Sequence, residues 1–210
     1  ISVSQHDLAH VQDETEAPYI YLLHRILLEL RLMTNYGPTF APTVGIARWF
    51  QKGRLEQTKE VWGLLRDRIL LDETDGVQLS FYLGQERVAS ARGQIVKIVG
   101  ACPPEKWVSL SSLSRKVRRD YPKLLRGWSR GLSRVSREDD GRLITVSASW
   151  DRLEGAFIKD VVSKTLRWFG LVQMDESGDA FRLSPLGAAV LGGKSAPPAV
   201  PVPRPIIVQP

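Results

Sequence analysis

The segment that most constrains this chain is WDRLEGAFIKDVVSKTLRWFGLVQMDESGDAFRLSPLGAAVL, residues 150–191. It reads as a long amphipathic helix, a two-stranded hairpin and a short closing helix. Leu153, Phe157, Ile158, Val161, Val162, Thr165, Trp168 and Phe169 share one broad helical arc, the pattern of a helix with one buried side. Asp151 stands at the start, where an acidic side chain can cap free N–H groups and face the positive helix end. Gly170 follows Phe169 and can take the left-handed conformation that ends a helix. Leu171 to Met174 reads as a strand, with Ala180 to Leu183 as its partner. Between them a polar run supplies Gly178 where a tight turn needs positive φ. Ser184 then caps a helix whose first residue is Pro185.

Upstream, Val88 to Gly100 is helix-periodic and Trp107 to Leu110 reads as a short strand. Ser111 or Ser112 caps a helix to about Tyr121, which Pro122 stops. Helix, strand and helix, then helix, hairpin and helix, make one winged helix over 86–193. A basic insertion at about 122–149 interrupts it, with a strand at 144–146. A smaller unit, 18–85, precedes it. Pro18 opens a helix from Tyr19 to Met33, residues 34–38 are turn chemistry, and 39–43 are extended. Thr43 caps a helix through Trp49 and Phe50, Gly53 breaks it, and a further helix runs from Leu55 to Arg68. Its order repeats that of the last unit, as a degenerate repeat of the same half-module; two unrelated amphipathic helix–hairpin units would share as much. The expected fold is mainly α with short β-hairpins (α+β), built as tandem winged-helix modules. Residues 1–17 are a polar lead-in. Residues 194–210 are a Pro-rich linker running into the start of a truncated following domain.

Charge is concentrated. Between Arg115 and Arg142 ten basic side chains face four acids, an excess equal to the net charge of the whole chain, +6. Two readings are open: a solvated loop, or an arm that contacts phosphates. A second basic stripe, Arg152, Ala156, Lys159, Ser163 and Arg167, lies opposite the apolar arc of the helix after Trp150. It suits a groove lined by phosphates and also suits an ordinary solvated face. The candidate DNA-binding residues are Arg115, Lys116, Arg118, Arg119, Lys123, Arg126, Arg130, Arg152, Lys159, Ser163 and Arg167.

Catalytic chemistry is not legible. The histidines, His6, His10 and His24, lie near the N-terminus, and no His, Cys and carboxylate set has metal-ligand spacing. Glu154 sits in a first helical turn, where the helix dipole and capping explain a carboxylate. AAVLGGKS, residues 188–195, imitates a phosphate-binding loop. Such a loop needs a strand before it and a helix after it; here a helix precedes and Ala196-Pro197-Pro198 follows. The expectation is a non-catalytic protein without metal or cofactor. The lone Cys102 forbids an internal disulfide and fits a reducing, cytoplasmic setting. No apolar run is long enough to span a bilayer and no secretory leader opens the chain. Ile1 in place of Met, and the closing prolines, suggest a piece of a longer protein.

Several stretches together resemble a bacterial family of helicase-associated proteins that carry an XPB-type helicase-associated domain. They are KWVSL at 106–110 before a basic helix, WDRLEG at 150–155, LRWFGLV at 166–172 and AFRLSPLG at 180–187. RPIIVQP at 204–210 is similar to the first strand of the helicase-associated domain itself. The resemblance spans roughly 19–210 and rests on the order of these short motifs. It implies winged-helix modules beside a helicase-linked domain. Two functions follow as expectations. One is binding of double-stranded DNA, mainly through phosphates. The other is a protein-interaction scaffold, with a helicase or another protein as partner and with Trp107 and Trp128 as aromatic anchors.

Overall fold

The computed structural model describes residues 17–37, 39–67, 78–79, 85–125, 134–136, 143–145 and 150–193. The architecture is mainly helical with small antiparallel sheets. Helix α1 (Pro18–Glu29) is followed by hairpin β1 (Met33–Tyr36) and β2 (Thr39–Pro42), then α2 (Gly45–Gln51) and α3 (Arg54–Asp67). Strand β3 (Gln78–Leu79) precedes α4 (Gln85–Gly100), β4 (Trp107–Ser109) and α5 (Leu110–Asp120). Strands β5 (Arg134–Ser136) and β6 (Leu143–Thr145) come next. A long helix, α6, runs through 151–166, followed by β7 (Val172–Met174), β8 (Ala180–Leu183) and α7 (Pro185–Leu191).

The helix expected over 19–33 ends early. Arg31 takes φ 54°, and the Leu32 N–H turns back to the Leu27 carbonyl at 2.9 Å, burying Leu32. Met33 therefore starts a strand, and residues 34–36, expected as turn, pair with β2 in the register Thr34↔Ala41 and Tyr36↔Thr39. The cap position of α2 is Val44, without a side-chain cap bond, rather than the expected Thr43; the Thr43 hydroxyl one residue earlier accepts from the Gly45 N–H at 3.3 Å and donates to the Arg31 carbonyl at 2.7 Å. The cap of α5 is Ser109 rather than Ser111 or Ser112; its hydroxyl accepts from the Ser112 N–H at 3.2 Å.

The strand order β4-β8-β7 joins Trp107–Ser109 to the C-terminal hairpin across the intervening helices. Sheet β3-β5-β6 ties the 122–149 segment back to residues that precede α4. Helix α7 packs on both α3 and α4, and one apolar cluster runs from Leu22 and Ile26 through Ile95 and Phe157 to Ala188. Arg92 of α4 is 2% exposed and donates to the Leu65 carbonyl at 2.7 Å, in the last turn of α3. That position suits a cation, because the carbonyl end of a helix is negative. Among the described residues, no helix is long and apolar enough to cross a membrane.

Helix α6 has an unusual pitch. Wide π-type turns at Asp151–Gly155 and Val161–Leu166 flank a conventional stretch, Ala156–Asp160. Its buried residues come in pairs four apart: Leu153 and Glu154, Phe157 and Ile158, Val161 and Val162, Thr165 and Leu166. A helix of 3.6 residues per turn would carry such a row about 120° round its axis over twelve residues. Wider turns cancel that drift. The sequence expectation of a 3.6 period put Trp168 and Phe169 in the core and left out Leu166. Instead Leu166 is fully buried, while Trp168 and Phe169 are partly buried and pack against the core edge. Glu154, read from sequence as a capping carboxylate, is in the first turn but fully buried.

Candidate nucleic-acid interface

The amphipathic pattern of α5 leaves little choice of orientation. Leu113 and Val117 are buried, so Arg115, Lys116, Arg118 and Arg119 come out on the solvent side. Residues 115–120 are turns of a helix, not part of a loop. Arg115 Nη2 donates to the Ser112 hydroxyl at 3.0 Å. Lys116 Nζ and Arg119 Nε both donate to Asp120, at 2.5 and 3.2 Å. Those two bonds, Lys116's first, hold the Asp120 carboxyl below the usual carboxylate range. Lys123 is exposed just past the helix end. Arg126 and Arg130 lie outside the described residues, as do the side chains of the remaining basic positions up to Arg142 and Trp128.

Arg118 links the two helices. Its guanidinium lies 5.5 Å from the centroid of the Trp150 ring, and Nη1 is 3.8 Å from Asp151 Oδ2. Asp151 itself is exposed and the helix start has no side-chain cap bond, so its carboxylate serves Arg118 rather than the capping role expected of it. Beside this contact the two helices leave a shallow groove of about 370 Å³, lined by Ser111 and Ser114 from α5 and by Gly155, Ala156, Lys159 and Asp160 from α6. Small residues at 155 and 156 keep the groove open; the position of a Cβ at Gly155 is 4.0 Å from the Ser114 hydroxyl oxygen. Arg152 and Lys159 are exposed and Ser163 is half-buried. Lys164, next to Ser163, pairs with Asp160 at 3.0 Å. Arg167 is exposed but stands at the far end of α6, beside the hairpin. Of the predicted residues that are described, Arg115, Lys116, Arg118 and Arg119 lie on α5, Lys123 just past it, and Arg152, Lys159 and Ser163 along α6, while Arg167 stands apart at the far end of α6.

Strands β7 and β8 carry an acidic turn, Asp175-Glu176-Ser177-Gly178-Asp179. Gly178 has φ 73°, the left-handed conformation the turn requires. Asp175 is committed to the turn: Oδ2 accepts from the Ser177 hydroxyl at 2.6 Å and Oδ1 from the Ala180 N–H at 2.9 Å. These bonds, the Ser177 hydroxyl's first, lower its carboxyl from the ordinary range.

A second feature lies on the outer face of this sheet, where the sequence singled out Trp107 as an aromatic anchor but not its partners. Trp107 and Gln173 are the cross-strand neighbours of Arg182 on either side. The Arg182 guanidinium lies 5.0 Å from the Trp107 ring centroid. It is fixed by a 2.7 Å bond from Nε to Gln173 Oε1 and by Glu105 at 3.6 Å. Alternation within β4 was the available signal, because Val108 faces inward and so turns Trp107 out. The pairing with β8 is non-local and leaves no mark in the sequence.

No protein-family model, no curated protein and no solved structure matches this chain.

Proposed function

We propose that this chain is the non-catalytic DNA-binding region of a helicase-associated protein, built from winged-helix modules and contacting duplex DNA mainly through phosphates. The observation that carries the reading is the row of exposed cations on α5, set beside the small-residue start of α6. Helix α4, strand β4, helices α5 and α6 and hairpin β7–β8, with strand order β4-β8-β7, follow the element order expected of a winged helix. In such modules a helix pair meets the duplex and phosphate contacts fix its register. Asp175 and Glu176 on the hairpin turn repel phosphate, and Asp179 with Asp151 and Asp160 lines the groove, so contact falls on the exposed cations of the helices rather than on the groove floor.

The test is fluorescence anisotropy with a labelled random-sequence duplex, across a salt series. Phosphate contacts of this kind give dissociation constants of about 10⁻⁴ to 10⁻⁶ M at physiological salt and tighter binding below it. Substituting Arg115→Gln, Lys116→Gln and Arg119→Gln together should weaken binding. No binding of the parent to any duplex at low salt would end this reading. A scaffold is the second reading, favoured by Tyr36, Phe40 and Phe50. These lie exposed on β1, β2 and α2 at 77%, 45% and 57% of full accessibility, more apolar surface than a solvated face needs.

A further inference from the structure

On the sheet's outer face, bounded by Trp107, Arg182 and Arg167, lies an open depression of about 940 Å³ with Gly170 and Met174 in its wall. Trp107 is 50% exposed, although it is the largest kind of side chain and sits in a sheet. A guanidinium that also bonds Gln173 and Glu105 holds its ring in place. An indole kept out of the core and fixed in one orientation is a stacking surface. A third arginine stands close by: Arg54 Nη2 is 3.6 Å from where a Cβ on Gly170 would be. Among the described residues, neither Arg54 nor Arg167 has an ion-pair partner. Arg167 and the aromatic surface therefore line one concavity, and Arg54 stands beside its Gly170 wall.

We infer that this depression binds single-stranded nucleic acid, with a base stacked on Trp107 and the backbone phosphates held at Arg54 and Arg167. The inference rests on the nucleic-acid reading above but uses a different face of the molecule. A duplex would not use such a surface, because its bases are already stacked on one another. An unpaired strand offers a free base face and a flexible backbone, and aromatic stacking combined with cationic contacts is how such strands are held without sequence preference. An anionic ligand suits the Arg54 and Arg167 end, where neither arginine has an ion-pair partner among the described residues. Asp175 and Glu176 close the depression at the hairpin turn. They repel phosphates there, which keeps the backbone at the Arg54 and Arg167 end.

The experiment uses the full chain, a fluorescein-labelled oligothymidine and a duplex of equal length, both read by anisotropy. Trp107→Ala should weaken oligothymidine binding about tenfold or more, the effect of losing one stacked base, and leave duplex binding unchanged. Trp107→Phe should recover most of the loss, which also shows that the fold is intact. Arg54→Gln with Arg167→Gln should flatten the salt slope for oligothymidine by about 1.4, at about 0.7 per single-strand phosphate. If Trp107→Ala binds oligothymidine like the parent, or if the α5 substitutions abolish single-strand binding as fully, the inference is overturned. Duplex binding without oligothymidine binding overturns it while the duplex reading stands. Oligothymidine binding without duplex binding supports it and removes the duplex reading.

Discussion

The Arg92 guanidinium reaches from α4 to the Leu65 carbonyl of α3, 2.7 Å away, and is almost wholly enclosed. It thereby joins the helices of the N-terminal part to those of the C-terminal part, beside the apolar cluster they share. A hydrogen bond to a charged group contributes about 1.5–3 kcal/mol. Arg92→Ala also leaves a void, so a total loss of about 2–4 kcal/mol is expected. In a chain of this size that lowers Tm by about 5–15 °C. Arg92→Lys should recover only part of it, because an ammonium lacks the planar fork. A thermal melt of Arg92→Ala that overlays the parent would show that the contact does not hold the two parts together.

Two glycines should respond in opposite directions to the same change. A Cβ on Gly187 would fall inside the van der Waals shell of the Leu171 carbonyl oxygen. That oxygen cannot move aside, because it accepts from the Ser184 N–H at 3.0 Å. Gly187→Ala should therefore cost about 3 kcal/mol or more. Gly93, inside α4, has open space where a Cβ would stand. Gly93→Ala should add about 0.5–1 kcal/mol, the helix-propensity difference. Urea unfolding of both variants decides the matter, and a neutral Gly187→Ala would mean that α7 is not seated on Leu171.

The acid limb of the stability profile should carry the signature of Asp175. Its folded-state carboxyl lies below the ordinary range because the Ser177 hydroxyl and the Ala180 N–H bond the charged form. A depressed carboxylate contributes stability above its unfolded pKa of about 3.9. The contribution is lost as pH falls through the folded value. The hairpin's stability should thus be level from neutral pH to about 5 and drop below about 4. Asp175→Asn should lower it at neutral pH and flatten the acid limb. Melts of parent and variant between those pH values check this, and parallel curves would refute it.

Duplex binding should divide unequally between the two helices. Each lost phosphate contact flattens the slope of log affinity against log salt by about 0.9, so the three α5 substitutions should remove up to about 2.7. Arg152→Ala with Lys159→Ala should remove less, because α6 also presents Asp151 and Asp160 near the groove. Stability should barely change in either variant, since exposed charges contribute little. A steeper loss from the α6 pair than from the α5 triple would reverse the assignment.

The C-terminal half was legible wherever its signals are local. Gly170 at φ 68°, Gly178 at φ 73° and the Ser184 hydroxyl accepting from the Gly187 N–H all stand where sequence chemistry puts them. Each depends on a handful of adjacent residues. What escaped the sequence depends on distant partners. Arg92 looks like any surface arginine until α3 covers it, β3 is too short to announce itself without β5, and Trp107 gains its meaning only opposite Arg182. The pitch of α6 was written in the sequence, as pairs repeating every four residues in which each has at least one apolar member, but a search at 3.6 passes over it. Of the candidate DNA-binding residues, the sequence placed the α5 group on a helix and grouped Arg167 with the α6 stripe. It could not show that Arg167 stands beside the hairpin.

The four-residue repeat of α6 also limits how this protein can change over time. Paired positions from Leu153 to Leu166 face the core only while the count between them is kept. Losing or gaining one residue there turns everything beyond it by about 100°, exchanging Val161 and Val162 for neighbours that now face solvent. Substitution within the helix can be gradual; a change of length cannot. Descendants of this chain should therefore hold a fixed length from Trp150 to Gly170. A gene collection aligned on the Leu153–Glu154 and Thr165–Leu166 pairs, rather than on overall similarity, is the way to find them.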